Sequence, residues 1–174
     1  ELQQLKLLVD WTRIQVNKEA RTIYLPHTGM RIDVGGIGKG YAADRAVEEM
    51  KRAGARGGVV ALSGDIKTFG VLPNRNRFPV GIRHPREEGA LIAMIDLNDE
   101  AISTAGDYER FFERDGVRYH HILDPQTLQP ARACQSVTVI AKEGTMADGL
   151  DTGIFALGPE QGMALVESLP GVEA

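Results

Sequence analysis

Between Ile32 and Tyr41 the chain reads Ile32-Asp33-Val34-Gly35-Gly36-Ile37-Gly38-Lys39-Gly40-Tyr41, an extended run that passes through four glycines into a helix opening at about Lys39. Such a bend restricts the architectures available, because a helix must start where the chain has just turned sharply. The N–H groups at its opening have no intrahelical partner, and the helix dipole adds partial positive charge there. The bend is therefore suited to an anion such as phosphate. From the glycines alone, a tight strand-to-helix connection with no ligand reads the same way. A second oxygen-rich group, Asp148-x-x-Asp151-Thr152, lies far downstream and has the composition of a magnesium site.

The chain has 174 residues, enough for one domain with a substantial core. With 43% hydrophobic and 25% charged residues it reads as globular, and its formal net charge of −4 excludes broad attraction to nucleic acid or to an anionic membrane. Any anionic ligand must then be held by local donors or a bound cation. Cys134 is the sole cysteine, so it forms no internal disulfide and offers no zinc spacing. No signal peptide, lipid-attachment pattern or spanning apolar run is present. The first residue is Glu1 rather than Met, which leads us to expect a start cut from a longer chain and leaves the compartment unread.

Leu2, Leu5, Leu8 and Val9 recur at helical spacing and predict a short amphipathic helix over 1–11 that docks on the rest. Thr12 to Val16 and Thr22 to Leu25 flank Asn17-Lys18-Glu19 as a hairpin. A helix is predicted from about Lys39 to Ala53, with Gly54 at its C-terminal cap. Gly57 to Asp65 reads as a buried strand ending in a polar turn, and with the helix before it suggests half of a βαβ unit. Short strands occupy 70–90, around Val80-Gly81-Ile82. Leu91 to Leu97 is a stronger strand, reversed by Asn98-Asp99-Glu100. Ile102 to Tyr108 begins extended and ends in small polar residues. Glu109 to Gly116 reads as a charged turn, Val117 to Leu123 as a strand carrying His120 and His121 on opposite faces, and Gln135 to Ala141 as a β-branched strand. Two helices, Thr145 to Leu157 and Pro159 to Leu169, meet at Gly158.

Helix positions three and four apart share a face, so Asp148, Asp151 and Thr152 can converge on one point. Two carboxylates and a hydroxyl are hard donors and suit octahedral magnesium better than zinc. The competing reading is structural: Thr145-x-x-Asp148 fits a capping box, with Asp148 capping the helix and Asp151 facing water. The glycine bend lacks the Ser or Thr that a Walker motif requires after Gly-Lys, and its glycine spacing departs from the Rossmann fingerprint.

Several blocks in order make the chain similar to a known family. They are Asp33-Val34-Gly35-Gly36-Ile37-Gly38-Lys39-Gly40-Tyr41-Ala42-Ala43-Asp44, Leu62-Ser63-Gly64-Asp65, Ile102-Ser103-Thr104-Ala105-Gly106-Asp107-Tyr108, His121-Ile122-Leu123-Asp124-Pro125-Gln126-Thr127, Ser136-Val137-Thr138-Val139 and Ala147-Asp148-x-x-Asp151-Thr152-Gly153. Through these the chain resembles the FAD:protein FMN transferases, the ApbE or flavin transferase family once described as thiamine-biosynthesis lipoproteins. The match runs from about Val9 to the end and corresponds to the C-terminal portion of a family member, so residues 1–174 are expected to form a single domain of a longer flavin transferase. Ser63 stands where a glycine is usual, Ala105 where a serine is usual, and Leu128 where the pattern expects a glycine.

The resemblance implies an α+β fold with a mixed, largely antiparallel sheet flanked by helices. It implies transfer of FMN from FAD to a Ser or Thr hydroxyl of an acceptor protein, with AMP released and no nucleic acid as partner. Magnesium would be held by Gly36 through its carbonyl and by Asp148, Asp151 and Thr152. FAD would be positioned by Asp33, Lys39 and Leu123, with Thr104 and Tyr108 as lesser candidates. His121 is the candidate general base, since an imidazole titrating near neutrality can take the acceptor's proton; its alternative is to pack beneath the flavin or order Asp124. A FAD pyrophosphatase giving FMN and AMP, and a non-catalytic flavin-binding module, remain as alternatives. By the same resemblance the compartment would be periplasmic or membrane-anchored.

Overall fold

Residues 2–73 and 77–174 are described by a computed structural model. Among these residues the elements are α1 (Leu2–Lys6), β1 (Gln15–Asn17), β2 (Thr22–Tyr24), α2 (Gly38–Arg52), β3 (Gly57–Leu62), β4 (Asp65–Gly70), β5 (Phe78–Arg83), β6 (Leu91–Leu97), β7 (Ala101–Gly106), β8 (Phe111–Arg114), β9 (Val117–His120), β10 (Ser136–Ala141), α3 (Gly144–Leu157), α4 (Pro159–Glu167) and β11 (Val172–Glu173). The main sheet has the order β11-β10-β7-β4-β3, and β1-β2, β5-β6 and β8-β9 form separate hairpins. Every pairing between these strands is antiparallel. The α+β class with an antiparallel sheet and flanking helices thus agrees with the expectation.

The sheet acquires an inside because its strands alternate in phase. Ala101 on β7 pairs with Ala141 on β10, and Ser103 pairs with Val139. Ala101, Val139 and Ala141 pack with Ala147 and Ile154 of α3 and Val166 of α4 into one buried cluster. Residues at odd positions along β7 and β10 therefore face the helices, and Thr104 and Thr138 face away. On β4 the inward positions include polar residues: Asp65 is 2% exposed and Lys67 8%. Lys67 Nζ donates to the carbonyls of Asp99 and Lys142, which ties the β6–β7 and β10–α3 turns to the sheet. Burial lowers the pKa of that amine.

Several elements differ from the sequence reading. Within the run from Gly57 to Asp65, Gly57–Leu62 is an edge strand rather than a buried one, with Val59 47% exposed, and it returns at Asp65 directly into β4 as an antiparallel hairpin instead of forming half of a βαβ unit. The predicted charged turn over 109–116 contains β8, which pairs with β9. Its true turn is Asp115-Gly116, both at positive φ (53° and 73°), the dipeptide that two-residue hairpins favour. The strand carrying the histidines stops at His120, and Leu123 joins only an isolated bridge to Pro130. The N-terminal helix is shorter than 1–11, and Leu5 and Val9 remain 50% and 63% exposed. β11, which pairs with β10, was not anticipated.

The two departures at usual glycines leave both turns intact but put side chains in the left-handed region, Ser63 at φ 48° and Leu128 at φ 60°. Ser63 is exposed in the two-residue turn between β3 and β4, so little packing offsets its strain. Left-handed backbone costs an L-residue ~1–2 kcal/mol, and glycine gives back roughly half of that in unfolded-state entropy. We therefore expect Ser63→Gly to raise stability by about 0.5–1 kcal/mol, read as a higher urea midpoint at unchanged slope.

Candidate active site

On α3 the buried residues Ala147, Asp148, Asp151, Ile154 and Phe155 follow the three-four spacing of one helix face. The two carboxylates thus lie on the packed side of the helix, at 3% and 4% exposure. The small residues Gly40 and Ala43 lie on the buried face of α2 and let it come close to α3. A Cβ placed on Gly40 would collide with the carbonyl of Gly144 and lie 2.8 Å from Asp148 Cβ. At this crossing the Gly40 N–H donates to Asp148 Oδ2 at 2.8 Å, linking positions 108 apart in the chain. One turn further along α2, Asp44 accepts from Gly144 N (2.7 Å), Thr145 N (2.9 Å) and Thr145 Oγ1 (2.8 Å). The N-terminus of α3 is thus capped by a side chain of another helix, while its own N-cap residue Glu143 makes no side-chain cap bond. The capping-box reading of Thr145 and Asp148 is thereby set aside, and Asp151 does not face water.

A third carboxylate joins the pair. Ligand atoms of Asp65, Asp148 and Asp151 all lie within 4.8 Å of one another. Between two of them stands Ser103, 1% exposed, whose Oγ is 2.6 Å from Asp151 Oδ2 and also bonded to Asp65 Oδ1. Asp65 Oδ2 accepts from Lys39 Nζ, and Asp151 Oδ1 accepts from Thr152 Oγ1 at 2.9 Å. A hydroxyl has one proton and cannot donate to two carboxylates at once. Burial, reinforced by the charge of Asp148, pushes the Asp151 carboxyl up to about 6. The Ser103 O–H lies within donating distance of both Asp151 Oδ2 and Asp65 Oδ1 and serves one of them at a time. For Lys39, burial alone would lower the amine's pKa; hydrogen bonding to Asp65 and the charges of Asp65, Asp148 and Asp151 raise it instead.

The structure therefore joins Lys39, Asp151 and Thr152 through Asp65 and Ser103 in one hydrogen-bonded chain at the opening of α2, with Asp148, held by the Gly40 N–H, close beside it. Gly36 lies in the exposed turn two residues before that helix, and Asp33 closes an Asx turn by accepting from Gly35 N at 2.6 Å. Thr104 lies on the opposite face of the sheet, 2.9 Å from Thr138 Oγ1. Tyr108 stacks beneath the Arg83 guanidinium, 5.6 Å from its ring centre. Leu123 is 44% exposed. His121 is exposed just after β9, and among the described residues it makes no hydrogen bond or ion pair to the acidic group. Burial is the main influence lowering its pKa, which favours the neutral imidazole. Its neighbour His120 points inward, 6% exposed, with Nε2 2.8 Å from the Ala131 carbonyl.

Asp44, Asp65 and Ser103 stood in the motif blocks without an assigned role. Strand alternation could have found Ser103, a polar residue in phase with Ala101 and Ala105 on the inward face. Nothing local marks Asp44 as the cap of a helix 100 positions away.

A family model described as the ApbE family matches residues 1–174. The chain belongs to the ApbE family. Among curated relatives, the FAD:protein FMN transferase of Treponema pallidum (strain Nichols) is 40% identical over 163 residues, covering 88% of this chain and 45% of that protein. One from Klebsiella pneumoniae (strain 342) is 34% identical over 155 residues, covering 88% and 47%. Among solved structures, an ApbE protein from Thermotoga maritima superposes with a TM-score of 0.87 at 35% identity, over 98% of this chain and 56% of that one. The flavin transferase ApbE from Vibrio cholerae gives 0.83 at 30% identity, over 96% and 53%. The chain thus spans about half the length of the ApbE relatives it matches.

Two outcomes follow from the site. Asp44→Ala removes three bonds at the start of α3 and should lower stability by about 2 kcal/mol in denaturant titrations, with Asp44→Asn recovering most of it. Asp151 has a folded pKa of about 6 against 3.8 for a free aspartate. A raised pKa stabilises the fold at low pH, and that contribution is lost as pH rises from about 4 through about 6. In metal-free buffer, Asp151→Asn should abolish this part of the pH dependence, a change of up to about 3 kcal/mol.

Proposed function

We propose that the protein transfers FMN from FAD to a Ser or Thr hydroxyl of an acceptor protein, with AMP as leaving group, in the presence of magnesium. The observation that carries this reading is the meeting of the glycine bend with buried Asp148, through the Gly40 N–H, beside Asp151. The relatives' name, FAD:protein FMN transferase, supports the same chemistry.

The donor set fits a hard divalent cation. Asp148 and Asp151 lie buried side by side, and burial, with a smaller contribution from the charge of Asp148, pushes the Asp151 carboxyl up. Asp148, Asp151, Thr152 and the Gly36 carbonyl would hold magnesium, which when bound supplies charge neutralisation to the pyrophosphate. The remaining work belongs to the chain. Lys39 and Asp33 position FAD at the helix opening, with Leu123 and Tyr108 as further contacts; Thr104, on the far face of the sheet and bonded to Thr138, is not among them. His121, neutral near pH 7, accepts the acceptor's hydroxyl proton at an imidazole nitrogen. The hydroxyl oxygen forms a bond to the FMN phosphorus while the bond from that phosphorus to the bridging oxygen breaks, and AMP leaves with that oxygen. Such a displacement relies on positioning and charge stabilisation more than on covalent steps through the protein.

The test is to incubate the protein with FAD, magnesium and a candidate acceptor, and to follow AMP by chromatography and FMN by its attachment to protein. We expect AMP and protein-bound FMN in equal amounts, and a loss of at least about 100-fold in Asp148→Asn. AMP accompanied only by free FMN would assign hydrolysis instead. Undiminished transfer by the variant would remove Asp148 from the site.

A further inference from the structure

Asp65 shares one buried group with Asp148 and Asp151, so by proximity and composition all three would bind a cation. Its hydrogen bonds indicate otherwise. One oxygen of Asp65 accepts from the Lys39 ammonium and the other from the Ser103 hydroxyl. Asp65 is almost wholly enclosed, whereas the Lys39 side chain is 45% exposed and reaches it from the first turn of α2. Lys39 and Asp65 together form a neutral pair, and an ammonium bonded to a carboxylate opposes a divalent ion on that same carboxylate. Among the described residues Asp148 and Asp151 bond to no such cation: their partners are a backbone N–H and two hydroxyls.

Resting on the transferase reading, we propose that Asp65 is a positioning residue and not a metal ligand. It fixes the Lys39 ammonium at the opening of α2, so that a diphosphate meets two separate cations, the metal on Asp148 and Asp151 and the lysine on Asp65. Through Ser103 it also holds the Asp151 carboxyl in place. The ligand class is a nucleotide diphosphate, and the role of Asp65 is to keep Lys39 pointed at it.

A double-mutant cycle on the intact protein separates the two roles. Manganese binding is read by electron paramagnetic resonance in the absence of nucleotide, and FAD binding by quenching of flavin fluorescence. Lys39→Met should bind manganese about threefold tighter or more, because the repelling ammonium is gone and Asp65 remains charged. The double variant Lys39→Met/Asp65→Asn should return to within about threefold of wild type, while Asp148→Asn should lose at least about tenfold. FAD affinity should fall by about tenfold in both Lys39→Met and Asp65→Asn, as each removes the oriented charge. A merely misfolded variant would lose both ligands, so the expected split between metal and FAD is specific to positioning. If the double variant loses manganese as far as Asp148→Asn, Asp65 is a ligand and the proposal is overturned. If Asp65→Asn keeps wild-type FAD affinity while Lys39→Met loses it, the lysine does not depend on Asp65 and the proposal is also overturned. A wild-type protein with no saturable manganese binding would overturn the metal-dependent reading itself, and the positioning role with it.

Discussion

The close crossing of α2 over α3 is the contact on which the rest of the site depends. It exists because Gly40 has no side chain where the Gly144 carbonyl passes and because Asp44 supplies the bonds that the first turn of α3 lacks. Any side chain at position 40 would push the helices apart, and with them the Gly40 N–H and the Asp148 carboxylate. That short link sets the glycine bend beside the acidic residues. The sheet serves it from below: α3 rests on β7 and β10 through Ala101, Val139 and Ala141, while β4 and β7 present Asp65 and Ser103 at the same level.

Three carboxylates in one buried group would ordinarily weaken a fold, since burial and mutual repulsion both disfavour charge. Here each has a different partner. Asp148 takes a helix N-terminal N–H, Asp65 takes an ammonium, and Asp151 shares a hydroxyl and has a raised pKa. The arrangement leaves the protein short of positive charge at one place, which is where a divalent cation would contribute most. Residual repulsion of this kind is a common price of a functional site.

The parts of this that sequence reasoning reached are those with a local signature. The glycine bend leading into a helix, the Asp148 and Asp151 pair on one helix face and the two final helices agree with the structure; a hairpin also forms after residue 14, but from Gln15–Asn17 and Thr22–Tyr24, with Asn17 in the strand and Thr12 and Arg13 in a 3-10 turn instead of the strand expected from Thr12. β8 was missed because Glu109, Arg110, Glu113, Arg114 and Asp115 give it the composition of a turn, although Asp115-Gly116 marked the real reversal. Gly57 to Leu62 was read as buried from its apolar run, yet burial depends on neighbours, and an edge strand has one on a single side. His121 and Leu123 take their roles from family resemblance, and among the described residues no hydrogen bond or ion pair links His121 to the acidic group.

The sequence by itself determined the local chemistry: a glycine-rich bend running into a helix, a helix face carrying two acids, and strands whose alternation separates inward from outward residues. These follow from backbone sterics and side-chain periodicity, which act over a few residues. Tertiary structure alone decided that Asp44 caps a helix formed 100 positions later, that Ser103 stands between two carboxylates, and that Asp65 bonds to Lys39. Those choices depend on which surfaces pack together, and packing is settled by the whole chain's burial of apolar area rather than by any one segment.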